Sequence, residues 1–202
     1  MIDGESCQRN LGISFNDVSL LEQAFVHSSY LNENPKIPLS DNERLEFLGD
    51  AVLESVVTEE LYKGFPDLPE GELTMIRARL VRRETLAELA SSIKLGDYLM
   101  LGQGEEASGG RTRQSNLANA MEALIGAIYL DQGLAEVKQF ILRQLKPTME
   151  KVKAGEMPLN YKALVQEFIQ REKKSIPVYQ LVQTIGPDHN KQFTVEVLLE
   201  GK

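Results

Sequence analysis

The stretch NERLEFLGDAVL, residues 42–53, is the most informative part of this sequence. Its apolar residues recur every three or four positions as far as Val57, which predicts an amphipathic helix. On such a helix Glu43, Glu46 and Asp50 are spaced i, i+3 and i+7, so their carboxylates share one face. The segment therefore predicts a helix with concentrated negative charge on one side.

Two interpretations of this acidic face are open. Its line continues to Glu54, as it would on an ordinary solvated surface. Gly49 and the flanking apolar residues instead favour a face partly enclosed by a packed neighbour, where carboxylates need a compensating cation. Ligands that are all oxygen atoms indicate Mg²⁺ or Mn²⁺ rather than zinc.

A second polar pair lies inside an otherwise apolar helix predicted over residues 115–130. Asn119 and Glu122 are spaced i, i+3 there. They are either a hydrogen-bonded pair within the core or part of a site, because buried polar groups need partners. If this helix packs against the first one, the oxygen-bearing groups of both helices could converge on one or two metal ions.

The remaining sequence divides into a larger helical part and a smaller mixed part. Helical periodicity predicts further helices around residues 20–25 and over 71–92, 134–152 and 160–171. Turn-forming residues mark 102–110 as a loop. Alternating apolar residues predict two strands, 178–184 and 193–199, joined by the loop 186–191. A helix and two strands bury little surface, so we expect this second unit to be incomplete or to need more in order to fold.

The charge distribution qualifies what the composition implies. The chain has 202 residues, a formal net charge of −8 and a pI near 5.0, which by itself argues against a nucleic-acid partner. Residues 1–157 hold 16 Lys+Arg and 25 Asp+Glu, whereas residues 158–202 hold 6 and 5. Part of the acidity thus coincides with the candidate metal site, where bound divalent ions would reverse the local sign. The lone Cys7, with no leader and no long apolar run, predicts an intracellular protein with no membrane partner.

Basic residues form two groups. Arg111 and Arg113 follow a glycine-rich segment just before a predicted helix, which suits either a phosphate-contacting loop or a flexible linker. The second group is interpreted as a solvated helix face and consists of Arg77, Arg79, Arg82 and Arg83. His27, beside a predicted helix, is interpreted as structural.

Three segments, taken in order, resemble the ribonuclease III family. They are NERLEFLGDAVL at 42–53, GEEASGGR at 104–111 and EALIGAIYLD at 122–131. Residues 160–202 resemble the first part of a double-stranded-RNA-binding domain, including the sequence GPDH at 186–189. The resemblance covers essentially the whole chain.

This resemblance implies a fold and an activity. We expect an all-α endonuclease domain over residues 1–152, a linker over 153–159, and a partial α+β double-stranded-RNA-binding domain over 160–202. That last part would hold the α-β-β portion of an α-β-β-β-α domain, whose third strand and basic helix we expect beyond Lys202. The implied activity is that of a cytoplasmic homodimer that cleaves both strands of duplex RNA during rRNA and mRNA processing. Its products would carry 5′-phosphates and short 3′ overhangs.

The resemblance also implies roles for individual residues. Its metal ligands fall on Glu46, Asp50, Asn119 and Glu122, of which Asp50 and Glu122 are the expected catalytic residues, with Mg²⁺ as cofactor and Mn²⁺ as a substitute. Glu43 and Glu70 match accessory acidic positions of the cleft. Phe47 matches an aromatic residue that inserts into the partner subunit, although without the resemblance an intramolecular core position would be favoured. The expected RNA contacts are Arg111, Arg113, Gln166 and His189.

Asn119 departs from the family pattern, which has aspartate there. An amide oxygen still binds Mg²⁺ but brings no negative charge, so metal affinity should fall. The alternative functions are therefore a duplex-RNA-binding protein with weak or lost cleavage, and a helical dimerisation scaffold without RNA affinity.

Overall fold

The structure is a computed structural model. Its larger unit, Met1–Glu156, is built from helices. The structure describes residues 4–154, 169, 178–185 and 192–198. The α-helices of this unit are α1 (Gly4–Leu11), α2 (Val18–Ala24), α3 (Ser28–Glu33), α4 (Glu43–Gly64), α5 (Glu70–Leu80), α6 (Arg83–Ser92), α7 (Gln103–Ala107) and α8 (Gln114–Lys153). Short 3₁₀ turns span Leu95–Tyr98 and Gly110–Thr112.

Helices α4 and α8 form the centre of the unit, and α2 and α6 also pack against α8. The apolar stripe predicted from the sequence is the buried side of α4, including Leu53, Val56 and Val57. Helix α4 packs against α8, on which Met121 and Leu124 are fully buried. No helix in the described part of the chain is long and apolar enough to span a membrane.

Two glycines allow α4 and α8 to cross at backbone contact. A Cβ atom on Gly49 would lie 1.8 Å from the carbonyl oxygen of Glu122, and one on Gly126 would lie 2.3 Å from that of Leu45. Neither distance is compatible with a side chain. The crossing therefore needs hydrogen at both positions, and it brings Glu46 and Asp50 of α4 close to Glu122 of α8.

The start of α4 is anchored by a buried side chain. Asn42 donates from Nδ2 to the carbonyl of Ala24 at 3.2 Å, and its backbone N–H donates to the carbonyl of Val26 at 2.9 Å. Its own carbonyl accepts the backbone N–H of Glu46 at 2.8 Å. These bonds fix the first turn of α4, which carries Glu43 and Glu46, against the end of α2.

Three local predictions need correction or refinement. The single helix predicted over 71–92 is wrong, because the backbone breaks at Val81 and Arg82 between α5 and α6. At this break the Thr85 hydroxyl donates to the carbonyl of Arg79 at 2.8 Å. The apolar spacing continues across the break, so periodicity alone did not reveal it. The predicted loop 102–110 contains helix α7, and the helices predicted over 115–130 and 134–152 form α8, interrupted by the positive φ of 81° at Gly133.

The smaller unit, Met157–Lys202, contains two strands as predicted, and they pair antiparallel. Strand β1 (Val178–Ile185) pairs with β2 (Gln192–Leu198), with Leu181 opposite Val195 and an irregularity between Leu181 and Gln183. Of the helix predicted over 160–171, only Ile169 is described, and it is helical and buried. Gln166, the loop 186–191 with His189, and most of the predicted linker lie outside the described residues.

Candidate functional site

The carboxylates predicted on α4 and the polar pair predicted on α8 come together at the glycine crossing. Glu46 lies about one helical turn before Gly49, and Asp50 directly follows it. The backbone carbonyl that faces Gly49 belongs to Glu122. Glu46, Asn119 and Glu122 are half-buried, whereas Asp50 is exposed. The crossing therefore creates one acidic centre from two helices, which we define as Glu46, Asp50, Asn119 and Glu122.

Burial and mutual repulsion shape the protonation of this acidic centre. Burial, together with the negative charges of Asp50 and Glu46, raises the pKa of Glu122 to about 7, while the positive charge of Arg83 opposes this shift. Burial also raises the pKa of Glu46, with added contributions from Glu43 and Asp50. Carboxylates held this close in a half-buried position are poorly compensated by the protein, and a bound cation would relieve their repulsion.

Asn119 touches the same group of carboxylates. Its side chain hydrogen-bonds to Glu46 and thereby lowers the pKa of that carboxyl, against the effects of burial and charge. The amide oxygen of Asn119 is a neutral ligand atom. The donor set is three carboxylates and one amide, which suits hard divalent ions such as Mg²⁺. Within the described ranges, however, no group of three or more His, Cys, Asp or Glu side chains is arranged so as to hold a metal ion.

The two accessory acidic residues occupy different places. Glu43 is exposed, lies on the first turn of α4 and acts electrostatically on Glu46. Glu70 begins α5, accepts a hydrogen bond from the Thr74 hydroxyl at 2.9 Å, and lines a cavity of about 230 Å³ with Tyr62. Glu70 is not among the groups that shift the pKa of Glu46 or Glu122. Of these two accessory residues, Glu43 is therefore the one whose charge acts on the acidic centre.

Arg111 has intrachain partners that hold its loop together. It pairs with both carboxylate oxygens of Glu106 at 2.6 and 2.9 Å, and it donates to the carbonyls of Gly96 and Leu99 at 3.0 and 2.8 Å. These bonds favour a structural part for this guanidinium. Its predicted contact with RNA remains a prediction.

Arg113 belongs to a second internal network. It pairs with Glu105 and donates to the Ser108 hydroxyl at 2.9 Å. The buried Asn116 donates to Glu105 at 2.7 Å and to the carbonyl of Gly110 at 3.1 Å. This network fixes the glycine-rich segment onto the start of α8, which argues against a flexible linker. The predicted phosphate contact of Arg113 likewise remains a prediction.

Phe47 is not a core residue of its own chain. Its side chain is 82% exposed, which excludes the intramolecular interpretation. Beside it lies a cavity of about 620 Å³ whose apolar lining includes Leu20, Leu48 and Leu130. An aromatic ring this exposed on a rigid helix, next to an apolar cavity, is typical of an interaction surface.

Two further residues complete the description of the site. His27 caps α3, because its Nδ1 accepts the backbone N–H of Ser29 at 3.2 Å, as expected for a structural histidine. Arg83 is exposed, as the sequence predicts for a solvated helix face, yet its charge also lowers the pKa of both Glu46 and Glu122. No local spacing could reveal this, since α6 reaches the acidic centre only by packing against α8.

Comparison with family models defines the class of protein. A model described as ribonuclease-III-like matches residues 17–149, which contain the acidic centre. A second model, the double-stranded RNA binding motif, matches residues 161–202, which contain both strands. The chain is therefore a helical nuclease domain followed by a double-stranded-RNA-binding motif, as the resemblance implied.

Similar proteins narrow this class to one family. The chain is 46% identical over 202 residues to Ribonuclease 3 of a Dehalococcoides mccartyi strain, covering all of this chain and 85% of that protein. It is 49% identical over 193 residues to Ribonuclease 3 of Enterococcus faecalis, covering 95% of this chain and 83% of that protein. The nuclease domain of ribonuclease III from Campylobacter jejuni matches with a TM-score of 0.66 and 39% identity, over 73% of this chain and 97% of that chain. The chain belongs to the ribonuclease III family and is an endoribonuclease.

Proposed function

We propose that this protein is a divalent-metal-dependent endoribonuclease that cleaves double-stranded RNA. The observation that carries the proposal is the acidic centre at the α4–α8 crossing, where half-buried carboxylates repel one another. Mg²⁺ is the proposed ion and Mn²⁺ a substitute, because the donors are hard oxygen atoms. The products would carry 5′-phosphates and short 3′ overhangs, and the cellular role would be rRNA and mRNA processing in the cytoplasm.

Each residue of the acidic centre has a proposed part. Glu46, Asn119 and Glu122 would hold one ion after side-chain rotation, and Asp50 with Glu122 would hold a second or orient the attacking water. A bound divalent ion lowers the pKa of water and stabilises charge on the leaving oxygen. Glu122, whose pKa lies near 7, must release its proton before it can serve as a ligand.

We further propose that the active form is a homodimer in which Phe47 enters the apolar cavity of the partner subunit. The exposure of Phe47 and the neighbouring cavity support this proposal. A solved structure of the Campylobacter jejuni nuclease domain, 40% identical with a TM-score of 0.65, is described as having structural flexibility in a region involved in dimer formation. Duplex RNA would be bound mainly through its phosphates and 2′-hydroxyl groups, with little base readout. Arg111, Arg113, Gln166 and His189 remain the proposed contacts.

Cleavage of a long duplex RNA over a range of Mg²⁺ concentrations tests the proposal. We expect Glu122→Gln to lower the cleavage rate on the order of hundredfold or more. Mutating residues that only hydrogen-bond to metal ligands already costs about 10–100-fold in metal affinity or activity, and Glu122 is itself a proposed ligand. Glu54→Gln is the matched control, because it removes one exposed charge from α4 on the same line of the helix. Equal rates for wild type, Glu122→Gln and Glu54→Gln would refute the proposed site.

Asn119 gives the competing function a specific test. A protein that only binds RNA would bind duplex RNA but cleave it no faster than Glu122→Gln does. Under the proposed function, Asn119→Asp adds a fourth carboxylate and should lower the Mg²⁺ concentration needed for half-maximal rate, by about tenfold for a gain of about 1.4 kcal/mol in binding. A variant that needs more Mg²⁺ than wild type would show that Asn119 is not a ligand.

A further inference from the structure

Arg83 approaches the acidic centre from a third helix. It is the first residue of α6, which packs against α8. Its positive charge acts on Glu46 of α4 and on Glu122 of α8, so it stands within electrostatic reach of ligand candidates on both helices. The side chain is nevertheless exposed, and its guanidinium is therefore open to a molecule from solvent.

Arg77 and Arg82 are engaged elsewhere, which distinguishes Arg83 from these two arginines. Arg82 donates to the Thr85 hydroxyl at 3.3 Å and lies 3.7 Å from a carboxylate oxygen of Glu84. Arg77 donates to the Thr58 hydroxyl at 3.2 Å. Within the described part of the chain, the side chain of Arg83, by contrast, forms no hydrogen bond and no ion pair within 4.0 Å.

We propose that Arg83 binds a backbone phosphate of the RNA next to the scissile bond. This inference rests on the proposed function, because it assigns a substrate contact to the same site. A guanidinium stays charged at every relevant pH, and its planar donors match two oxygens of one phosphate. Before any ion binds, the three carboxylates of the acidic centre and Arg83 together have a formal net charge of −2. Of these four charged side chains, Arg83 is the one that attracts a phosphate.

The test compares Arg83→Gln with its neighbour Arg82→Gln on one short duplex RNA with a single cleavage site. We expect Arg83→Gln to lower kcat/KM about 10–100-fold, as for loss of a charged hydrogen bond, and Arg83→Lys to recover part of that loss. Because one phosphate contact is lost, the slope of log(kcat/KM) against log[salt] should become shallower by about 1. Arg82→Gln should stay within about twofold of wild type with an unchanged slope.

The outcomes separate this inference from the proposed function. If wild type cleaves and the two glutamine variants behave alike, Arg83 is not a phosphate contact. If Arg83→Gln loses activity with an unchanged salt slope and a lowered Tm, its part is structural and the inference is also wrong. If wild type does not cleave, the proposed function fails. The inference is then decided by binding of duplex RNA in Mg²⁺, where equal slopes of log(binding constant) against log[salt] for wild type and Arg83→Gln overturn it.

Discussion

Replacing Gly49 with alanine tests the helix crossing on which the acidic centre depends. The new Cβ atom would lie 1.8 Å from the carbonyl oxygen of Glu122, 2.7 Å from its carbonyl carbon and 2.9 Å from the backbone nitrogen of Gly126. All three obstacles are backbone atoms, which cannot rotate away as a side chain can. An ordinary contact of 3.4 Å would need α4 and α8 to separate by about 1.6 Å.

The size of the effect follows from this separation. Overpacking a core costs about 1–3 kcal/mol, and we expect the upper end because α4 and α8 form the centre of the unit. Alanine recovers about 1 kcal/mol through its better helix propensity, so the net loss in the free energy of unfolding should be about 2 kcal/mol or more. The same movement would draw Glu46 and Asp50 away from Glu122, and misplacement by about 1 Å can cost about a hundredfold in rate.

Gly64→Ala is the matched control for this experiment. Gly64 lies on the same helix, and a Cβ atom there would meet nothing within 4 Å. Urea unfolding followed by circular dichroism should show a loss for Gly49→Ala and no loss for Gly64→Ala, with cleavage of duplex RNA reduced only in the first. Equal stability and equal cleavage in the two variants would refute the view that backbone contact at the crossing builds the site.

Three further predictions concern charge, assembly and the loop before α8. Burial and the charges of Asp50 and Glu46 raise the folded-state pKa of Glu122 from 4.5 to about 7. Between these pH values the unfolded state ionises this carboxyl more readily than the folded state does, so the folded protein loses stability as pH rises. In the presence of a chelator, Glu122→Gln should therefore be more stable than wild type at pH 8, by roughly 1–2 kcal/mol after allowance for solvent screening. At pH 5 the gain should be much smaller. An equal gain at both pH values in urea unfolding would contradict this prediction. Phe47→Ser should weaken the proposed dimer at least about a hundredfold in analytical ultracentrifugation, since each buried Phe contributes roughly 1.5–3 kcal/mol, whereas Tyr62→Ser, which changes another exposed aromatic residue of α4, should not. Asn116→Ala removes two hydrogen bonds of a buried amide, to Glu105 and Gly110, and should lower the free energy of unfolding by about 1–3 kcal/mol; no change in the urea midpoint would argue against the loop network.

The sequence by itself determined the features that depend on neighbours along the chain. Helical spacing placed Glu43, Glu46 and Asp50 on one face of α4, and alternation identified both strands, because side-chain direction repeats every 3.6 residues in a helix and every two in a strand. The family motifs identified the kind of protein. Local spacing did not predict the break at Val81 between α5 and α6, because this break depends on hydrogen bonds around the turn and not on apolar periodicity.

Only the tertiary structure decided which of these groups act together. The contact between Gly49 and the Glu122 carbonyl joins residues more than 70 positions apart, and it places the half-buried Glu122 beside two other carboxylates. Packing of α6 against α8 likewise brings Arg83 to the acidic centre, and intrachain bonds engage Arg111. The physical reason is that burial, pKa and the availability of a guanidinium depend on the atoms that packing brings close, which the periodicity of a single helix does not specify.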